Sequence, residues 1–168
     1  HIPNKFENYK HYKNIVETNL DIETIEKTRQ IWWKIRPHYD YKTIEFRVCD
    51  VQRSLQNTEM IISLVQSLVR SIIINNDYNH DYCYEYLTDG LWKASSKNFS
   101  CKIIDPYDSK LVSMEEMINR MIAYSKNSLE YFGNSHVIKT VQNIIKNGTE
   151  ANNQIKVYDK HGFKKLKK

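Results

Sequence analysis

The residues best suited to chemistry in this sequence are one acid and three basic side chains in two neighbouring segments. Glu45 and Arg47 stand two positions apart, and Lys34 and Arg36 do the same in the segment before them. Alternate side chains of a strand share a face, so Glu45 and Arg47 would stand about 7 Å apart on one side. If the two strands pair with these faces aligned, a carboxylate, two guanidiniums and an ammonium meet on one side of a sheet.

Such a polar face is typical of a site for phosphate and metal. A carboxylate can hold Mg²⁺, and a guanidinium binds two phosphoryl oxygens at once. The structural alternative is a solvated sheet face with cross-strand ion pairs, and the spacing alone leaves that alternative open.

Two short strands must position these side chains. The first covers residues 31–36 and ends at Pro37, the second covers residues 43–49, and residues 38–42 suit a hairpin loop. The opposite faces of both strands are apolar, so we expect them to pack against helices. That apolar set is Ile31, Trp33, Ile35, Ile44, Phe46 and Val48.

Most of the remaining chain reads as helix. Three helices are predicted in the first two thirds of the chain, within residues 1–20, from Asn57 or Thr58 to about Ile74, and over about 82–95. Three more have capping residues at both ends. They run from the Ser113–Glu116 capping box to Gly133, from Ser135 to Gly148, and from Thr149 to Gly162. The second of the six is apolar around most of its circumference and should be central and buried. Residues 102–108 form strand or loop with a turn at Asp105 and Pro106.

This order predicts an α+β fold with short antiparallel strands and a predominantly helical C-terminal portion, in a single domain over residues 1–168. Hydrophobic residues at 40% and charged residues at 27% exclude disorder and a fibre. The longest apolar stretch, residues 60–74, is interrupted by Ser63, Gln66, Ser67 and Arg70. It is too short and too polar to span a bilayer, so we expect no membrane partner.

The positive charge is concentrated in a basic tail at residues 163–168. The net charge is +5, and Lys164, Lys165, Lys167 and Lys168 contribute four of it, which leaves +1 for the rest of the chain. A nucleic-acid-binding protein usually spreads its basic residues over one face of the fold, so nucleic acid is an unfavoured partner that rests on the tail alone.

Cysteine and histidine positions give no sign of a metal site. Cys49, Cys83 and Cys101 lie far apart without a CxxC pair, and the six histidines lack ligand spacing. A reducing, cytoplasmic setting is therefore expected. The sequence also contains no glycine-rich phosphate loop, nucleophile elbow or HExxH motif.

Residues 31–50 resemble the carboxylate–amine ligase family related to glutamate–cysteine ligase. That family carries a WWDIRP-like strand, a short loop and a TxExRxxD strand, which here read WWKIRP from Trp32 and Thr43, Glu45, Arg47 and Asp50. Downstream, LWKAS stands where the family has NxWxAxRxG, and GTEANNQ from Gly148 resembles its closing GTxAxxQ segment. The resemblance covers nearly the whole chain in order.

The resemblance implies a fold like the catalytic domain of glutamate–cysteine ligase, related to glutamine synthetase, with a curved antiparallel sheet and helices behind it. It implies ATP-dependent amide-bond formation through an acyl phosphate, with Mg²⁺ and with glutamate and cysteine as the leading substrates. By position, Glu45 would be a Mg²⁺ ligand. Arg36 and Arg47 would bind the phosphates of ATP and stabilise the transferring phosphoryl group.

The sequence also departs from the family pattern. Members run considerably longer, and their N-terminal half supplies further carboxylates, so the chain resembles the C-terminal part and would need that half in cis or in trans. Five positions differ from the motifs, namely Lys34 for Asp, Lys42 for Gly, Gly90 for Asn, Ser96 for Arg and Asn98 for Gly. Among them, Lys34, Gly90 and Ser96 favour an alternative, a degenerate non-catalytic module that binds a nucleotide or a protein. Oligomeric state stays open.

Overall fold

The computed structural model describes residues 1–78 and 80–166 and consists mainly of helices with two small antiparallel sheets. In chain order the elements are α1 Tyr9–Asp21, β1 Ile35–Pro37, β2 Ile44–Phe46, α2 Leu55–Ile74, α3 Tyr84–Lys97, β3 Lys102–Ile104, β4 Leu111–Ser113, α4 Met114–Tyr131, α5 Val137–Asn147, α6 Glu150–His161 and α7 Phe163–Leu166. The α+β class is confirmed. Lys167 and Lys168, the end of the predicted basic tail, lie outside the described residues.

The predicted hairpin around residues 38–42 is present. β1 and β2 pair antiparallel with Arg36 opposite Glu45, and the loop closes with a bond from the His38 N–H to the Thr43 carbonyl at 2.9 Å. Each strand has only three residues, shorter than expected, because Ile31 and Trp33 leave the strand path to pack beside α1.

A second hairpin, β3–β4, was only half predicted. Residues 102–104 are a strand, and they pair with residues 111–113 across a turn that Asp105 organises. The Asp105 N–H bonds the Lys110 carbonyl at 2.8 Å, and its side chain accepts from the Tyr107 N–H at 2.9 Å. That carboxylate-to-backbone turn is a common use of Asp before Pro.

The expected packing of the apolar face of β1–β2 against helices is wrong for four of its six residues. Ile31 is buried with Tyr12 and Val16 of α1, and Trp33 packs against the same cluster. The other four remain 37–53% exposed, namely Ile35, Ile44, Phe46 and Val48. The polar side is covered instead, because the turn at residues 28–31 folds over it and Arg36 is only 8% exposed.

Helix α2 begins after Ser54 and packs against α4 and α5 through Met60, Leu129, Val137 and Val141. The prediction that this helix is central and buried holds for only one of its sides. The packed side is lined by Ser63, Ser67 and Ser71, whereas several aliphatic residues of α2 stay exposed. The serines are small enough for α4 to approach closely, and the Ser71 and Ser128 hydroxyls hydrogen-bond at 2.7 Å.

By length and composition alone, α2 is long and apolar enough to cross a membrane. The sequence argument considered only residues 60–74, but the helix has 20 residues, so its conclusion about length was wrong. Core helices of soluble proteins pass the same test. One side of α2 is packed against α4 and α5 in the structure.

The predicted caps of the later helices are largely present. Ser113 accepts from the Glu116 N–H at 3.1 Å, but the reciprocal bond of the capping box is absent because the Glu116 carboxylate binds Arg120 instead. Helix α4 ends before Gly133, whose φ of 70° suits glycine. Thr149 caps α6 through the Asn152 N–H.

Candidate functional site

Glu45 lies between the two arginines that the strand pattern placed on its face. Its Oε2 accepts from Arg36 Nε at 2.6 Å, and its Oε1 lies 3.7 Å from Arg47 Nε. The antiparallel register causes this meeting, because it sets Arg36 directly opposite Glu45 while Arg47 follows two residues later on the same face. The structure therefore brings the three predicted site residues together.

Arg36 is mainly engaged in holding the backbone. Its Nη1 donates to the carbonyls of Arg29 and Ile31 at 2.8 and 2.7 Å, while its Nε holds Glu45. The side chain is almost fully buried. It therefore ties the turn before β1 to the hairpin and orients the Glu45 carboxylate.

Arg47 has hydrogen-bonding capacity to spare. Its Nη1 is buried and has no hydrogen-bond partner among the described residues, although the side chain as a whole is 31% exposed. The backbone N–H of Arg47 donates to the Lys34 carbonyl at 2.7 Å, which places the two basic residues side by side. An unpaired guanidinium N–H beside an ammonium favours an anion such as a phosphoryl group.

Trp32 forms the wall beside Arg47. The guanidinium carbon of Arg47 lies 5.5 Å from the Trp32 ring, and Trp32 is 72% exposed. Its neighbour Trp33 instead packs in a tilted orientation against Phe6 and Tyr12. Alternation along the segment separates the two tryptophans, and the position of Trp32 beside the site was not predicted from the sequence.

Glu45 alone does not make a metal site. Within residues 1–78 and 80–166, no three acidic, histidine or cysteine side chains cluster closely enough to hold a metal ion. Both Glu45 oxygens face guanidiniums, so the local charge opposes a cation. The residues present in this chain therefore do not by themselves fit Mg²⁺, and they suit an anion better.

A second polar cluster, which the sequence did not signal, joins the α2–α3 connection to the β3–β4 turn. Asp77 accepts hydrogen bonds from His80 and from the Tyr107 hydroxyl, the latter at 2.7 Å. The nearby Tyr124 hydroxyl and the bonds from Tyr107 and His80 lower the pKa of Asp77 to about 2. Burial raises the pKa of Tyr107 above its usual value, and Tyr82 and Asp77 add to that rise.

Arg120 completes the structural role of this cluster. It donates to Asp105 at 2.6 Å and to Glu116 at 2.6 Å, and Asp105 is only 3% exposed. Each acid in the turn is thus matched by a donor. The cluster fixes two connections in place, and the rings of His80, Tyr82 and Tyr107 pack against one another.

The positions that depart from the family motifs have ordinary local surroundings. Gly90 lies inside α3, where an added Cβ would only touch Ile103 at 4.0 Å. The Ser96 hydroxyl donates to the Trp92 carbonyl at 2.8 Å. Asn98 has a φ of 50°, a conformation that favours the glycine of the motif.

The hairpin carries Arg36, Glu45 and Arg47 on one face. Sequence comparison identifies the family to which the chain belongs. The family model of glutamate–cysteine ligase family 2 matches residues 1–166. The chain therefore belongs to glutamate–cysteine ligase family 2.

Curated relatives agree with this membership. Proteins provisionally named glutamate–cysteine ligase 2 from Sorangium cellulosum and Gloeobacter violaceus are 27% and 29% identical over 94% of the chain. A third, from Solibacter usitatus, is 24% identical over 96%. Each match takes in only 43% of the relative, so the chain spans less than half the length of these relatives.

Proposed function

We propose that this chain is the C-terminal portion of an ATP-dependent carboxylate–amine ligase whose catalytic domain is of the glutamine synthetase type. The observation that carries the proposal is the arrangement of Arg36, Glu45 and Arg47 on one face of the hairpin, at the positions of the family motif. Glutamate and cysteine are the proposed acid and amine, and the cytoplasm, where ATP is available, is the proposed compartment.

In the proposed reaction, an oxygen of the substrate carboxylate attacks the γ-phosphorus of ATP and ADP leaves. The amine nitrogen then attacks the acyl carbon, and phosphate leaves as the amide forms. Arg47, whose side chain is 31% exposed, would hold a phosphoryl oxygen with its guanidinium and offset the charge that spreads over the transferring group. Arg36 would act through Glu45 and the backbone that it holds.

In this proposal, Mg²⁺ would need further ligands from residues that this chain does not contain. Glu45 could contribute one oxygen if its contacts with the arginines loosen, but a magnesium site needs several oxygen ligands. Those ligands would come from the portion of the relatives' length that this chain does not contain. Mg²⁺ would supply charge neutralisation of the phosphates there.

The same missing portion is the proposed partner, either in cis or in trans. Support comes from the hairpin itself, which consists of two three-residue strands. Its apolar face is open, with Ile44 53% and Phe46 37% exposed. Among residues 1–78 and 80–166, no third strand pairs with β1 or β2. A two-stranded sheet is marginal in water and gains stability when further strands or a covering layer join it.

A non-catalytic module of the same fold is the second candidate. It is favoured by the excess positive charge of the site, where Lys34 lies beside Arg47 at a motif position that carries an acid in the family. Such a module would keep the anion-binding face for a nucleotide without transferring phosphate.

The deciding experiment measures ADP release from ATP and Mg²⁺ with glutamate and a panel of amines, including cysteine. It uses the longest polypeptide that the gene encodes, with Glu45→Gln and Arg47→Ala, and with Arg53→Ala as a control because that exposed arginine only pairs with Glu150. We expect amine-dependent turnover that falls about 100-fold or more in the two site variants and is unchanged in the control.

The other outcomes separate the alternatives. Nucleotide binding without turnover for any amine would favour the non-catalytic module. Turnover that persists in both site variants would show that the reaction takes place elsewhere in the protein.

A further inference from the structure

Two basic residues stand opposite each other at the open end of the β1–β2 hairpin. The register pairs Arg36 with Glu45. Two residues further from the loop, Lys34 stands opposite Arg47, and the Arg47 N–H donates to the Lys34 carbonyl at 2.7 Å. Alternation along the strand places Lys34 on the face of Arg36 and Arg47. The position of Trp32 supports this alternation, since its ring lies 5.5 Å from the Arg47 guanidinium carbon.

The single acid on this face does not balance its cations. Glu45 accepts from Arg36 Nε at 2.6 Å, whereas its other oxygen lies 3.7 Å from Arg47 Nε. Within residues 1–78 and 80–166, no acidic side chain forms an ion pair with Lys34. Three basic residues and one acid leave a charge of +2. Like charges directly opposite each other destabilise a strand pair, so an anion held between Lys34 and Arg47 would remove a repulsion.

We propose that Lys34 and Arg47 together hold a terminal phosphoryl group without a divalent cation. The inference rests on the proposed function, because it assigns a ligand group and a metal requirement to the same face. A terminal phosphoryl group carries about two negative charges at neutral pH, which matches the excess charge of the face. An ammonium offers three donors and a guanidinium offers a planar fork, and both bind phosphoryl oxygens.

The lysine at position 34 is the reason that no metal is needed. The family motif has Asp at this position, and an acid opposite Arg47 would pair with it across the strands. An arginine paired in this way keeps less charge for a phosphate, which a divalent cation then has to offset. Lys34 instead adds a second cation at the same place, so its ammonium supplies charge that a metal ion would otherwise supply.

The test measures binding by isothermal titration calorimetry in EDTA, with ATP, inorganic triphosphate, adenosine and glutamate as separate ligands. The variants are Lys34→Gln, which removes the charge, and Lys34→Asp, which reverses it. The matched control is Lys139→Asp, which makes the same charge reversal at an exposed position of α5. Circular dichroism checks that all four proteins are equally helical, and thermal unfolding without ligand compares their stability.

We expect the wild-type chain to bind ATP and triphosphate in EDTA, and to bind adenosine and glutamate far more weakly. Lys34→Gln should weaken ATP binding about 10-fold and Lys34→Asp about 100-fold or more, whereas Lys139→Asp should change it less than about 2-fold. Without ligand, Lys34→Asp should melt at a higher temperature than the wild type, because an attraction to Arg47 replaces a repulsion. A lysine with only a structural role would not combine lost binding with gained stability.

The two phosphate ligands distinguish the source of the group. Equal affinity for ATP and triphosphate supports a site that takes a phosphoryl group from either source, and tighter binding of ATP supports a nucleotide as the ligand. Binding of adenosine or glutamate as tight as that of ATP would overturn the proposal, since phosphate would then not be the recognised group.

Two further results would also overturn it. One is binding of ATP and triphosphate only after Mg²⁺ is added, or not at all, and the other is a Lys34→Asp variant that binds ATP as tightly as the wild type. Because ligase turnover is measured separately, phosphate binding without turnover would contradict the proposed reaction and leave the phosphoryl site intact. Turnover with Mg²⁺ but no binding in EDTA would do the reverse.

Discussion

At the residue scale, the two arginines beside Glu45 differ in what their surroundings leave them free to do. Arg36 is almost fully buried, and its Nε and Nη1 donate hydrogen bonds to one carboxylate and two backbone carbonyls. Arg47 is partly exposed, lies over the Trp32 ring and keeps a buried nitrogen unpaired. The first is therefore a positioning residue, and the second is the one available to a ligand.

The buried position of Arg36 predicts a larger loss of stability on its removal than the removal of an exposed arginine causes. Arg36→Ala should lower the free energy of unfolding by about 2–3 kcal/mol, because two buried carbonyls and the Glu45 carboxylate lose their donor. Arg53→Ala should cost under about 0.5 kcal/mol, since its pair with Glu150 is exposed. Urea unfolding followed by circular dichroism measures both. Equal losses would mean that Arg36 does not hold the hairpin in place.

The alternation of side chains was enough to predict that Arg36, Glu45 and Arg47 meet, because strand pairing is a local property of the hairpin. The burial of Arg36 could not be predicted, since it depends on the turn at residues 28–31 folding over the polar face. The Asp77 cluster was missed for a similar reason. Its partner Tyr107 is 30 residues away and carries no motif.

At the scale of elements, the backbone is strained at Asn98, the residue that follows α3. Asn98 adopts a φ of 50° at the position of the family's glycine. Asn98→Gly should raise the free energy of unfolding by about 1 kcal/mol, because glycine adopts this backbone without a steric penalty. The same change at Asn75, whose φ is −89°, should bring no gain. Thermal unfolding of both variants checks the prediction, which fails if Asn98→Gly melts at or below the wild-type temperature.

The link between the α2–α3 connection and the β3–β4 turn should depend on pH. The pKa of Asp77 falls from 3.8 to about 2 on folding, so its hydrogen bonds contribute fully above about pH 4 and are lost as the pH drops through 2. Wild-type protein should therefore lose melting temperature between pH 4 and pH 2. Asp77→Asn should lose less over this range, because it has no carboxylate to protonate. Parallel curves for the two proteins would contradict the assignment.

The capping residues predicted where helices begin and end, but the sequence did not predict which elements pack against them. Ser113 and Thr149 begin helices as their capping chemistry predicts, and Gly133 ends one. The burial of α2 was overestimated, because an apolar side chain indicates that a residue is buried but not which element covers it. Ile62 is open and Ser67 is buried, because α4 and α5 pack on one side of α2 and, within residues 1–78 and 80–166, no layer covers Ile62.

At the scale of the whole molecule, the hydrophobic core is divided. One cluster joins α2, α4 and α5 around Leu129, a second joins α1 to the segment before β1 around Val16, and a third lies under β3 and β4 around Val112. Among the residues that the structure describes, the first and second clusters share no buried residue. This division is what we expect when a further portion of the family fold is needed to bridge separate layers.

A divided core predicts local rather than global unfolding when one cluster is damaged. Leu129→Ala should cost about 2–5 kcal/mol and speed amide hydrogen exchange in α2, α4 and α5, while α1 and β1–β2 keep their protection. Val16→Ala should produce the reverse pattern, because Val16 is fully buried in the other cluster. Exchange measured by mass spectrometry on both variants distinguishes the cases. If either variant speeds exchange equally throughout the chain, the clusters form one cooperative unit, and the isolated chain needs no bridging layer to fold as a whole.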